Sequence, residues 1–116
     1  MAEPGIPVQL QKMVAEFQQM QQQFQQVASQ RAQLEMLKSE GEEALKALET
    51  LPAEAPVYRN IGSLLVREAR DEAVARLKED QETLEIRLNR LGKQESALRE
   101  GLQSAQQKIQ ASLPRA

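Results

Sequence analysis

The chain has 116 residues, a formal net charge of −2, and neither Cys nor His. That length admits one domain at most. The missing residue types remove the usual zinc ligands, the thiol nucleophile, disulfides and the usual general base near neutral pH, while the slightly acidic balance argues against a general nucleic-acid binder, which carries a basic face. No apolar run approaches the length of a membrane span, and the N-terminus lacks the basic-then-apolar order of a signal peptide, so a cytoplasmic protein is expected. The aromatics are Phe17, Phe24 and Tyr58, too few to fill a compact globular core of this size. Abundant Gln, Glu, Lys, Leu and Ala with so few aromatics is the composition of long helices packed side by side.

Met1 to Pro7 reads as a loose tail, because Pro4, Gly5 and Pro7 discourage helix until Pro7, which fits a first helical turn. The spacing then predicts a helix over residues 8–50. Leu10, Met13, Phe17, Met20, Phe24, Val27, Leu34, Leu45 and Leu48 follow steps of three and four, and the interruptions Arg31, Lys38 and Gly41 fall on the same seam. A narrow stripe of that period is a coiled-coil signature, and Pro52 ends it.

The stretch LPAEAPVYRNIGSLLV, Leu51 to Val66, breaks the pattern. VYRNI and LLVR have strand-forming residue types, and Gly62-Ser63 fits a tight two-residue turn because Gly accepts positive φ at its first position. A β-hairpin over residues 57–67 is predicted. Two strands alone are marginal in water, since both edges stay open and no second layer covers them. Val57, Tyr58, Ile61, Leu64, Leu65 and Val66 therefore form a candidate oligomerisation set, with other subunits supplying the missing strands. The alternative is a plain apolar loop capping a monomeric coiled coil.

A second helix is predicted over residues 70–113. Val74, Leu77, Leu84, Leu88, Leu91, Leu98, Leu102, Ala105 and Ile109 share a three-four seam, with Gln81 and Glu95 as its polar interruptions. Asp71 and Glu72 suit a helix N-terminus, where acids meet the positive end of the dipole, but no capping residue is evident. Two helices of about 40 residues, each about 60 Å long at 1.5 Å per residue, fold back as an antiparallel pair when the connection is short. Folding about Ile61 sets Met13 near Ile109, Met20 near Leu102, and Arg31 near Leu91 and Glu95.

Charge is unevenly distributed. From Pro4 to Gln30 the only charged residues are Lys12 and Glu16, and from Gly101 to Ala116 only Lys108 and Arg115. The run QQMQQQFQQ, Gln18 to Gln26, replaces charges with amides. Met and Phe in an uncharged surround make an adaptable apolar surface. Ile6, Val8, Leu10, Met13, Val14 and Phe17 of the first helix region, with Ile109 and Leu113 of the second, form a candidate set for holding exposed apolar segments of other proteins. Leu10, Met13 and Ile109 also belong to the seam.

The run LETLPAEAPVYRNIGSLLVREARDEAVARLKEDQETLEIRLNRL, Leu48 to Leu91, resembles the β-class subunit of prefoldin, and QKIQASL at Gln107 to Leu113 is also similar to that family. The chain departs from the family where members often carry Ser or Thr before the second helix, reading Arg67-Glu68-Ala69-Arg70 instead. The resemblance implies a single prefoldin-like domain over residues 1–116, mainly α, with a long antiparallel two-helix coiled coil and a β-hairpin at its bend. It further implies that the hairpins assemble into an intersubunit β-barrel within an α2β4 hexamer with an α-class subunit. Coiled-coil tips would then bind unfolded client proteins without ATP and transfer them to a group II chaperonin. No cofactor, metal, nucleic acid or membrane is implied.

Two other classes compete with a holdase chaperone. A coiled-coil scaffold or tether accounts for the heptads but leaves the hairpin and the amide-rich ends without a role. For an enzyme the chain lacks the Cys, the His and the Gly-rich phosphate loop, and no concave pocket is expected from two-helix geometry.

Overall fold

A computed structural model of the chain describes residues 7–113. The elements run α1 (Val8–Glu49), β1 (Val57–Ile61), β2 (Leu64–Glu68) and α2 (Arg70–Ser112). The fold is mainly helical, with a two-stranded antiparallel hairpin between two long helices, as the sequence predicts. Two compact units are present: Ala32–Asn89, which contains the hairpin, and the helix segments up to Arg31 and from Arg90 onward.

α1 starts where Pro7 permits it. The Pro7 carbonyl oxygen accepts the Gln11 N–H at 3.0 Å, so proline opens the helix without having to donate within it. The forty-two residues that follow contain no proline and are dominated by straight-chain helix formers. At the other end Thr50 donates its hydroxyl to the Ala47 carbonyl oxygen at 2.7 Å, and the Leu51 N–H reaches the Leu48 carbonyl oxygen at 3.2 Å. Pro52 follows, and no further helical turn forms.

The hairpin pairs Val57 with Glu68, Arg59 with Val66 and Ile61 with Leu64 on one face, and Tyr58 with Arg67 and Asn60 with Leu65 on the other. Gly62 has φ of 60°, while Ser63 stays out of positive φ. That is the type II′ pattern, whose twist matches the flanking strands. Nothing lies within 4 Å of where a Gly62 Cβ would stand, so glycine is required there by backbone conformation alone.

Each seam residue named from the sequence, the polar ones included, is buried or half-buried in its helix. Deep enclosure is rare. The buried apolar residues are Leu10, Leu34, Leu48 and Ala73, and no large side chain is completely enclosed among the described residues. Two helices make two layers, so most seam residues keep one side open to solvent. Among the described residues no helix is long and apolar enough to cross a membrane.

Candidate functional site

The hairpin holds the densest group of exposed apolar side chains. Tyr58, Ile61, Leu64, Leu65 and Val66 are all exposed, from 43% for Val66 to 70% for Leu65, and Val57 is half-buried. Strand alternation puts Val57, Ile61, Leu64 and Val66 on one face and Tyr58 with Leu65 on the other. The two strands form a sheet of their own, so each has one edge without a β partner among the described residues. Apolar side chains on both faces together with two open edges make a surface suited to strand addition.

The hairpin is anchored at its base by charge. Arg76 of α2 donates to the Glu68 carboxylate at 2.6 Å, opposite Val57 in the register. Arg70, the first residue of α2, turns back to α1: its Nε donates to the Leu48 carbonyl oxygen at 2.8 Å and its Nη2 to the Glu49 carbonyl oxygen at 3.4 Å. A guanidinium there satisfies the last carbonyls of α1 and sits at the negative end of that helix dipole. The first residue of α2 thus caps the preceding helix. No local sequence pattern shows this cap, because Arg70 acts on carbonyls 22 and 21 residues earlier.

The second candidate set lies in the unit formed by the helix segments up to Arg31 and from Arg90. Ile6 lies outside the described residues. Val8 is 68% exposed, whereas Leu10 is only 6% exposed and so serves the seam, with little surface left for a ligand. Met13, Val14, Phe17 and Ile109 are half-buried, and Leu113 is exposed. Gly101 admits Met20 so closely that a Cβ there would stand 2.8 Å from the Met20 sulfur. The helices therefore approach tightly just beyond this set, and the set remains partly open around them.

The same unit holds the one buried charged side chain among the described residues. Glu95 accepts hydrogen bonds from Arg31 Nε at 2.5 Å and Nη2 at 3.4 Å, and from Arg99 Nη2 at 3.2 Å. The Arg99 guanidinium carbon also lies 5.7 Å from the centroid of the Phe24 ring, within cation–π range. The sequence placed Arg31 near Glu95; Arg99 joins them from one turn further along α2.

Comparison with known proteins points to one family. The family model for prefoldin subunits matches residues 11–116. The prefoldin subunit beta of Archaeoglobus fulgidus is 45% identical over 105 residues, covering 90% of this chain and 90% of that protein. The prefoldin subunit beta of Methanosarcina acetivorans is 40% identical over 108 residues, covering 93% of this chain and 92% of that protein. Among solved structures, the prefoldin beta subunit from Thermococcus strain KS-1 superposes with a TM-score of 0.86 at 40% identity, over 98% of this chain and all of that one.

Proposed function

The chain belongs to the prefoldin family, in its β class, and from that premise we propose that it is one subunit of an ATP-independent holdase chaperone that captures unfolded proteins. It joins other prefoldin subunits through the β1–β2 hairpin, with an α-class partner in an α2β4 hexamer whose hairpins close into a β-barrel. It holds clients on the apolar surface at the chain-terminal ends of α1 and α2 and passes them to a group II chaperonin in the cytoplasm. It is a binding protein and not a catalyst.

The observation that carries this reading is the pairing of the open hairpin with charge-poor helix ends. Val8 and Leu113 are exposed, and Met13, Val14 and Phe17 are half-buried, in segments whose charges are limited to Lys12, Glu16, Lys108 and Arg115. Apolar burial is worth roughly 25 cal/mol per Å², so a handful of such side chains supports only weak, reversible contacts. Several subunits on one platform raise the effective concentration of these surfaces, which holds a client without a deep pocket and lets each contact release in turn.

The test separates assembly from capture. Deleting Met1–Phe17 together with Ala105–Ala116 removes the proposed client surface and leaves the hairpin, some forty residues away along each helix. The trimmed protein is expected to assemble with its α-class partner at native mass and to lose most of its suppression of client aggregation. If it assembles and protects clients as well as the full chain, the helix ends are not the site.

A further inference from the structure

A groove opens in the hairpin-containing unit where the seam crosses Gly41. A Cβ on that residue would lie 2.6 Å from the Gln81 Oε1. With no side chain at 41, Gln81 lies over the α1 backbone and its Nε2 donates to the Lys38 carbonyl oxygen at 2.8 Å. Leu37 and Ala44 of α1 and Leu77 and Leu84 of α2 wall the space beside that contact, and Glu40 and Asp80 also line it. Leu37 is 52% exposed, and Met36, one turn before Glu40, is 64% exposed. Both residues are off the heptad seam, so packing between the two helices does not account for them. Ile86, three residues beyond Thr83 of the groove, is exposed as well.

The electrostatics of the groove narrow what can cover it. Both charged residues that line it are acidic. Glu40 has no ion-pair partner among the described residues. Asp80 has only Arg76 at 3.9 Å, and that guanidinium is committed to Glu68 at 2.6 Å. Across residues 35–49 and 76–87 there are nine acidic residues against five basic ones. A second copy docking groove to groove would bring like charges together. The charge-poor chain-terminal segments offer almost no cations to complement the acids.

We propose that this groove docks a short amphipathic segment of another protein in which apolar side chains are interleaved with Lys or Arg. The apolar residues lie against Leu37, Ala44, Leu77 and Leu84, and the cations meet Glu40 and Asp80. The site is separate from the helix ends assigned to client capture and does not rest on that assignment. It gives the subunit a preference by charge, which an uncharged apolar surface cannot supply.

The experiment uses the full-length chain and fluorescence anisotropy. The probe is a labelled amphipathic peptide of about twelve residues, three helical turns, built from Leu and Lys. Controls replace Lys by Glu, or Leu by Ser. The Leu-Lys peptide is expected to bind, the Leu-Glu and Ser-Lys peptides to bind at least about tenfold more weakly, and added salt to weaken the first. Glu40→Lys with Asp80→Lys is expected to lower Leu-Lys affinity about tenfold or more with helicity by circular dichroism unchanged, and Leu37→Ser to lower it severalfold. Val8→Ser with Leu113→Ser is expected to leave the difference between the Leu-Lys and Leu-Glu peptides unchanged, because the uncharged helix ends contribute equally to both. Equal binding of the Leu-Glu peptide, indifference to the double charge reversal, or loss of that difference in the Val8/Leu113 variant would each overturn the proposal. So would a double reversal that altered self-association instead of peptide affinity, since a second copy would then be the occupant.

Discussion

Arg31 and Glu95 occupy seam positions in their respective helices, yet replacing each by the same residue should have unequal effects. The carboxylate is the enclosed partner: its side chain is 10% exposed, against 36% for Arg31. Arg31→Leu puts an apolar side chain into the seam but leaves a buried carboxylate with one remaining partner, Arg99, whose own side chain is 59% exposed. Charge-assisted hydrogen bonds are worth about 1.5–3 kcal/mol each, and stripping a fully buried ion of its partner costs about 3–5 kcal/mol. Partial exposure of the arginines and the retained Arg99 contact reduce this, so Arg31→Leu is expected to cost about 2 kcal/mol. Glu95→Leu removes the enclosed charge itself, and both arginines reach water along their stems. Its cost is expected to stay below about 1 kcal/mol, and a slight gain is consistent with the general behaviour of buried ion pairs replaced by apolar residues.

Urea unfolding followed by circular dichroism at 222 nm, at fixed protein concentration, measures both variants and the double variant. Concentration must be fixed because self-association shifts apparent stability by mass action. The double variant is expected to resemble Glu95→Leu, since no buried charge remains in either. Were Glu95→Leu the more damaging single change, burial would not be what decides the energetics of this cluster, and the reasoning would be refuted.

Leu65→Asp is expected to abolish higher assembly on native mass analysis with helicity largely retained, because the proposed barrel would enclose the new charge without a partner, which is costly. Gly92→Ala should raise stability by about 0.5–1 kcal/mol, since a Cβ there meets nothing within 4 Å and glycine is a poor helix former; Gly41→Ala should gain less, by roughly the 1 kcal/mol of the displaced Gln81 hydrogen bond, and recover the difference in a Gln81→Ala background. Gly62→Ala should cost about 1–2 kcal/mol through its positive φ, with Gly62→Asn milder, both read from urea midpoints. Arg70→Ala should cost about 1 kcal/mol and speed amide exchange in the last turn of α1, and Arg70→Lys should restore little, because a lysine lacks the planar fork that reaches two carbonyls.

The seam was legible because a heptad is a local, repeated signal: twelve positions of α1 and eleven of α2 step by three and four, and none of them is exposed. The hairpin was legible from its turn, where Gly62 is placed for the φ it must adopt. What escaped depends on distance through the chain. Arg70 reads as an ordinary first-turn residue until its guanidinium is seen on the carbonyls of α1. Arg99 reads as a solvated flank residue until it is seen on Glu95 and Phe24. The three-four spacing leaves Met36 and Leu37 off the seam, but their exposure beside an open groove is visible only in the structure. Among the proposed client residues, the three-four spacing already sets Leu10 on the seam and Val8 off it, and the structure shows how completely the seam claims Leu10: it is buried while Val8 is exposed.

The polar interruptions of the two seams are matched, and this bears on why the hairpin is presented at all. Arg31 meets Glu95 within one unit, and Gln81 meets the α1 backbone at Lys38 beside Gly41 within the other. A seven-residue slip would preserve every apolar seam position and still fail. In one direction Glu95 would face Phe24, and its carboxylate would be buried without Arg31. Gln81 would lose the gap that Gly41 provides, because the residues seven positions to either side are Leu34 and Leu48. Apolar contacts alone would tolerate several registers, and two polar contacts leave one. With that register set, the chain from Glu49 to Arg70 has a fixed span to close, and Arg70 secures it directly onto the Leu48 and Glu49 carbonyls. The hairpin is thereby held at its base by Arg70 and the Arg76–Glu68 pair, while its apolar residues stay exposed. A surface meant only to be hidden would have been folded against the helices. Here the anchoring is polar and lies at the base, which leaves the apolar strands exposed, as the proposed assembly through the hairpin requires.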